Sequence, residues 1–212
     1  MKKLSTLFVL LILFACTFAS TASRAICCGK YRETALLNAD TTLDYYPFKD
    51  STYVLSVKPS QNPDALDTVI YMRKTSGTTR AVLWKELVAL PEAIDFRSED
   101  FNGDGQEDVL IYAGTGARGA NEFYHLYVAD PKKHTLIKIQ GFEEIPNTVY
   151  LPEYNIIVGY AYSGENYYII YRIDKNNVIH QVGESFKDDF DSDQDNFDKR
   201  IKTILNAEKE EH

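Results

Sequence analysis

The sequence predicts an all-β protein, either an antiparallel β-sandwich or a propeller-like arrangement of sheets, that ends in one short helix. Tyr supplies 15 of the 212 residues and aromatic residues make up 13% of the chain, and such side chains suit a pleated, half-buried surface. Short β-rich runs alternate with turn residues along the body of the chain. No long helical period separates these runs, which argues against parallel βαβ units.

The first residues have the pattern of an export signal. Two lysines precede the apolar run Leu7–Ala15, which is too short to span a bilayer and is typical of a signal-peptide core. We interpret residues 1–22 as a signal peptide and leave two cleavage sites open. Cleavage before Cys16 would give a lipoprotein, and cleavage near Ala22 would give a soluble protein. Both predict an exported protein, located in the periplasm or attached to the outer membrane as a lipoprotein.

The rest of the chain is divided into a tether and one domain. Residues 23–50 are interpreted as a flexible tether that carries Cys27 and Cys28, two adjacent thiols with no distant partner for a loop-closing disulfide. Residues 51–212 are interpreted as a single β domain, because their hydrophobic content is sufficient for one packed core.

The predicted strands follow one another with short connections. They are Tyr53–Val57, Thr68–Met72, Ala81–Val88, Asp108–Ala113, Glu122–Ala129, Thr135–Ile139, Ile156–Tyr162, Tyr167–Ile173 and Val178–Val182. Two Asp-initiated tetrapeptides, Asp130–Lys133 and Asp174–Asn177, predict hairpin turns. The two hairpins repeat one pattern, and such an internal repeat is typical of stacked four-stranded units, as in propeller blades.

The tail of the chain changes to a helical period. Phe197, Ile201, Ile204 and Leu205 fall on one face of a helix that begins at about Asn196. A run of aspartates precedes it, and negative charge is favourable near the positive end of a helix.

The strongest chemical signal is a loop of alternating oxygen side chains. Asp100, Asn102, Asp104 and Asp108 occupy loop positions 1, 3, 5 and 9, with a glycine at position 6. This spacing lets a short loop direct its oxygens at one point, where the backbone carbonyl of Gln106 can join them. Hard oxygen donors suit Ca²⁺. The sequence therefore predicts a calcium site, flanked by strands because the glutamate of an EF-hand is missing at position 12.

Charge and motifs exclude several functions. The formal net charge is −8, whereas a general nucleic-acid binder needs a basic face for phosphates. The chain contains no nucleophile elbow, phosphate loop or zinc spacing. We therefore predict a binding protein and not an enzyme.

The order of these features resembles a known family. The Asp-Phe-Asn-Gly-Asp-Gly loop enters an apolar strand, and the Gly-rich loop Gly114–Asn121 and an aromatic strand follow. Over about residues 90 to 185 this resembles the periplasmic calcium-binding immunity proteins of bacterial killing by type IV secretion. Those proteins are similar in fold to periplasmic inhibitors of i-type lysozyme. The acidic loop also resembles the calcium loops of integrin-type FG-GAP propellers, which leaves a calcium-stabilised surface module for adhesion as the alternative.

The resemblance implies a protein partner, a lysozyme-like peptidoglycan hydrolase. In the lysozyme inhibitors a Ser-Gly-x-x-Tyr loop enters the cleft of the enzyme, and Ser163, Gly164 and Tyr167 have that spacing here. Arg118 in the Gly-rich loop is assigned to the same contact surface. A bound Ca²⁺ is expected to hold the acidic loop and, through it, the neighbouring Gly-rich loop.

Overall fold

The computed structural model describes residues 31–36, 42–59, 67–90, 93–162, 164–189 and 194–210. Within these residues the strands are β1 (Tyr31–Leu36), β2 (Leu43–Tyr45), β3 (Tyr53–Pro59), β4 (Asp67–Ser76), β5 (Thr79–Ala89), β6 (Ala93–Glu99), β7 (Asp108–Gly116), β8 (Asn121–Asp130), β9 (Thr135–Lys138), β10 (Val149–Leu151), β11 (Ile156–Tyr162), β12 (Asn166–Ile173) and β13 (Ile179–Lys187). Helix α1 (Gln194–Glu210) follows them. No helix of the described residues is long and apolar enough to cross a membrane.

The strands form three antiparallel sheets. The N-terminal sheet has the order β2-β3-β4-β5, the central sheet β1-β6-β7-β8-β9, and the C-terminal sheet β10-β11-β12-β13. Each sheet therefore contains four consecutive strands that meander up and down, as short connections require. The prediction of an all-β fold with one C-terminal helix is confirmed.

The three sheets stack face to face, with the central sheet buried on both sides. Successive side chains of a strand point to opposite faces, and in β7 Val109 and Ile111 pack towards the N-terminal sheet while Leu110 packs towards the C-terminal sheet. All three are at most 3% exposed. This double burial explains why β7 reads as a continuous apolar run and not as an alternating one.

Helix α1 covers the outer face of the C-terminal sheet. Ile201 and Leu205 pack against Ile170 and Val182, so the predicted apolar face of the helix is confirmed. The helix approaches closely because residue 183 is glycine. A Cβ atom there would lie 2.5 Å from Cγ2 of Ile204, and the φ of +64° also favours glycine.

Several segments differ from the sequence prediction. The tether expected over residues 23–50 contains β1, paired with β6, and β2, paired with β3. Strand β6 was not predicted because buried polar side chains, Asp95 at 3% and Ser98 at 1% exposure, interrupt its apolar pattern. Strand β10 has only three residues. The predicted signal peptide, Cys16, Cys27 and Cys28 lie outside the described residues.

Candidate functional site

The acidic loop between β6 and β7 is organised by the carboxylate of Asp100. Its Oδ1 accepts hydrogen bonds from the backbone N–H groups of Gly103, at 2.7 Å, and Asp104, at 3.2 Å. Its Oδ2 accepts one from the N–H of Gly105 at 2.8 Å. One side chain therefore accepts hydrogen bonds from three successive backbone N–H groups and fixes the turn of the loop, as an aspartate in a turn commonly does.

The next two oxygen side chains continue this pattern. Oδ1 of Asn102 accepts the backbone N–H of Asp104 at 3.0 Å, and Oδ1 of Asp104 accepts that of Gln106 at 2.8 Å. Nδ2 of Asn102 also donates to Oδ2 of Asp104 at 3.2 Å. The loop thus curls through successive side-chain turns, and this brings three of the five predicted calcium ligands side by side.

Asp108 has a different environment from the other predicted ligands. Its side chain is fully buried. Oδ2 accepts the backbone N–H of Phe101 and Oδ1 accepts that of Ala129, each at 2.9 Å. Burial raises the pKa of Asp108 to about 7, and the nearby charges of Asp104 and Asp100 add to the effect. Asp108 therefore joins the acidic loop to strand β8 from inside the fold.

The acidic loop also packs against Phe142 and against Tyr150 of strand β10. Phe101 is 2% exposed and packs edge to face on Phe142, with ring centroids 5.5 Å apart. The hydroxyl group of Tyr150 lies directly against Gly103. A Cβ atom at this position would be only 2.6 Å from the hydroxyl oxygen, so glycine is needed there. Its φ of +73° is a second reason for glycine at this position.

The donor set suits a hard cation by chemistry, although its carboxylates do not converge. Asp100, Asn102, Asp104 and the Gln106 carbonyl offer only oxygen, the element that Ca²⁺ prefers. In the part of the chain that the structure describes, no three His, Cys, Asp or Glu side chains are grouped closely enough to hold a metal ion. The residues that would hold Ca²⁺ are Asp100, Asn102, Asp104 and the carbonyl of Gln106. Asp108, predicted as a fifth ligand, instead fixes the loop from beneath, because both of its oxygens accept buried backbone N–H groups.

Two of the four predicted partner-binding residues lie at the tips of two hairpins. Arg118 is exposed at the β7–β8 tip with a φ of +59°, and Gly164 is exposed at the β11–β12 tip with a φ of +94°. Ser163 lies outside the described residues. Tyr167 stands at the base of the second tip, where its hydroxyl donates to Glu165 Oε2 at 2.6 Å and the carboxylate raises the pKa of the tyrosine. Lys187 pairs with the same carboxylate at 2.8 Å.

Two asparagines hold these hairpin tips together. Asn121 donates from Nδ2 to the carbonyl of Tyr162 at 3.2 Å and accepts the backbone N–H of Tyr162 at 2.9 Å. Asn147 accepts the backbone N–H of Glu122 at 2.9 Å and donates to the carbonyl of Tyr160 at 2.8 Å. We call the surface formed by residues 117–120 and 164–167 the paired hairpin tips. Sequence reasoning missed both asparagines, and only their preference for turns could have drawn attention to them.

The acidic loop and the paired hairpin tips lie at opposite ends of the central sheet. Strand β7 begins at Asp108 and ends at Gly116. At about 3.3 Å per residue, its nine residues span about 30 Å. The Gly-rich loop is therefore not a neighbour of the acidic loop, and its position is fixed by Asn121 and Asn147 instead. The expectation that Ca²⁺ holds both loops is wrong because a complete strand separates them.

Comparisons with known proteins add one finding. A scan against family models and a search of curated proteins found no match to this chain. A search of solved structures found a chain described as "Structure of a Xanthomonas Type IV Secretion System related protein". It is 19% identical, with a TM-score of 0.45, over 77% of this chain and 90% of the other. Similarity at this level does not establish a function.

Proposed function

We propose that the protein is an exported, calcium-binding inhibitor of a lysozyme-like peptidoglycan hydrolase. The observation that carries this proposal is the surface of the paired hairpin tips. Two loops from different sheets are fixed side by side by Asn121 and Asn147, and together they present an exposed arginine and an exposed glycine. Such a preformed, exposed pair of tips suits insertion into a cleft, because little conformational freedom is lost on binding.

The chemistry of these tips is complementary to a lysozyme-like active site. These hydrolases cleave the glycosidic bond with a pair of carboxylates. The Arg118 guanidinium is a planar donor that pairs with carboxylates in a bidentate manner. Gly164 has no side chain, so the backbone of the second tip can approach a surface closely. The acidic net charge of the chain would also favour encounter with a basic hydrolase.

An inhibition assay tests the proposal. The purified protein is expected to inhibit cell-wall lysis by at least one lysozyme class, and Arg118→Glu is expected to raise the inhibition constant about 30-fold or more, because hot-spot residues cost about 2 kcal/mol or more. Lys175→Glu makes the same charge change at an exposed position in the turn after β12, at the other end of that strand from residues 164–167, and is expected to leave inhibition intact. Absence of inhibition for every lysozyme class would refute the proposal, as would equal losses in the two variants.

Calcium binding is tested separately by thermal unfolding. Ca²⁺ at 100 times its dissociation constant is expected to stabilise the fold by about 2.7 kcal/mol. Asp104→Ala is expected to abolish that response, because it removes one of the carboxylates that would hold the cation. Asp174→Ala is the matched control, since Asp174 also accepts backbone N–H groups in a turn. A melting temperature that Ca²⁺ and chelator leave unchanged in the unmutated protein would contradict the calcium site.

A calcium-stabilised surface module for adhesion is the second candidate. One observation favours it. Each of the three stacked sheets contains a four-stranded meander, which is a blade-like arrangement, and the acidic loop joins the first two strands of the central meander, β6 and β7. The assays separate the two candidates, because an adhesion module would respond to Ca²⁺ without inhibiting any hydrolase.

A further inference from the structure

We propose that the β4–β5 hairpin docks the protein on an anionic bilayer surface. We call residues 73–87 the basic hairpin. This inference goes beyond the proposed inhibition, because it concerns a different sheet and a different end of the molecule.

The basic hairpin is unusually exposed for a β structure. Its tip, residues 76–83, consists of eight consecutive exposed residues. Val82, Leu83 and Leu87 are 58%, 48% and 64% exposed, and all three belong to β5, an edge strand of the N-terminal sheet. Leu83 is the extra residue at a register shift, since Trp84 pairs with Met72 and Val82 with Arg73. Exposed apolar side chains on an edge strand are a liability unless a surface covers them.

The charge of the basic hairpin is opposite to that of the chain. Between Asp67 and Glu86 the sequence holds four cations and no acid, although the net charge of the protein is −8. Arg73 is paired with Asp44 within the N-terminal sheet. Lys74, Arg80 and Lys85 are exposed and flank the apolar side chains of Val82 and Leu83.

The position of the hairpin suits attachment to a membrane. Tyr53 stacks on His134 of the β8–β9 turn at 4.2 Å, and Lys74 lies 4.8 Å above the Tyr53 ring. The hairpin tip therefore lies at the acidic-loop end of the stack. The described fold also begins at this end, where Tyr31 pairs with Ser98 of β6. A lipid on Cys16, one of the two predicted forms of the N terminus, would tether the same end.

An anionic bilayer fits these features better than an acidic protein does. Every residue from 76 to 83 is exposed. The apolar side chains stand between long cationic ones, which can reach lipid phosphates while the apolar groups enter the headgroup boundary. A protein interface would centre on aromatic anchors, but the Trp84 ring is stacked on Tyr127 at 6.0 Å inside the sheet stack. The acidic loop belongs to the next sheet, about 10 Å away, a distance comparable to the Debye length in physiological salt.

Vesicle sedimentation tests the inference. The protein is isolated as exported, with Cys16→Ser to remove any acyl group, and mixed with phosphatidylglycerol-containing or pure phosphatidylcholine vesicles. Binding to the anionic vesicles is expected, and it should decrease as salt is added. Lys74→Gln, Arg80→Gln and Lys85→Gln together are expected to weaken binding about 100-fold, since each surface cation contributes about fivefold. Val82→Ser with Leu83→Ser should weaken it at least tenfold.

A matched triple variant controls for net charge. Lys199→Gln, Arg200→Gln and Lys202→Gln remove the same charge from exposed positions of α1 and are expected to leave vesicle binding unchanged. Near-ultraviolet circular dichroism verifies that each variant is folded. Failure to bind anionic vesicles, equal binding to both vesicle types, or equal losses in the two triple variants would overturn the inference. Binding to polyglutamate but not to vesicles would also overturn it and would assign the hairpin to an acidic protein.

Discussion

Asp108→Ala is expected to destabilise the protein by about 2–6 kcal/mol, because it leaves two buried N–H groups without an acceptor at about 1–3 kcal/mol each. Those N–H groups belong to Phe101 in the acidic loop and Ala129 in strand β8. Water cannot replace the carboxylate easily, since the side chain is fully buried. Urea denaturation of the variant and the unmutated protein measures the loss.

Asp130→Ala is the matched control for this variant. Asp130 also accepts two backbone N–H groups, from Lys132 and Lys133, each at 3.0 Å. They lie in an exposed turn, where water can take over, so the expected loss is about 1 kcal/mol or less. Equal losses in the two variants would show that burial does not control the strength of the Asp108 contacts.

Asn147→Ala is expected to cost about 3–4 kcal/mol and to release the paired hairpin tips from each other. A non-glycine residue with positive φ, 48° here, costs about 1–2 kcal/mol when the side chain does not compensate. The lost hydrogen bonds to Glu122 and Tyr160 contribute about 1 kcal/mol each. Urea denaturation gives the total. Hydrogen exchange at the Glu122 amide, which donates to the Asn147 side chain, reports the local effect.

Two further variants separate the causes of that loss. Asn147→Gly keeps the backbone relaxed at positive φ and so isolates the contribution of the hydrogen bonds. Asn155→Ala is the matched asparagine, because Asn155 also has positive φ and accepts a hydrogen bond, from Tyr150, but at the opposite end. It should leave exchange at Glu122 unchanged. Faster exchange at Glu122 in Asn155→Ala would mean that the variants act through general destabilisation.

The sequence predicted those elements in which the pattern of apolar residues matches the pattern of buried positions. Strand β7 is apolar on both faces and α1 is apolar at helical spacing, so both were predicted. Strand β6 was missed because Asp95 and Ser98 are buried in it, and a polar side chain in a strand normally indicates an exposed position. Its partner, strand β1, lies in the segment predicted to be a tether.

The candidate site could be predicted from the sequence to a similar extent. Alternating oxygens and glycine predicted that the acidic loop curls, and the turns of Asp100, Asn102 and Asp104 agree with this. The spacing did not reveal that Asp108 points inward, because that depends on its accepting an N–H from strand β8. The pairing of the hairpin tips through Asn147 is likewise a tertiary contact between distant parts of the sequence.

The stacking of the three sheets has a consequence for how the protein opens. Each apolar cluster joins one layer to the next, and the last of them packs α1 on the C-terminal sheet. The molecule is in this respect a short linear array, in which stability is a sum of nearest-neighbour interfaces. The outer layers can therefore fluctuate or detach while the central sheet persists, and the lowest-energy openings of the native state begin at the two ends of the stack.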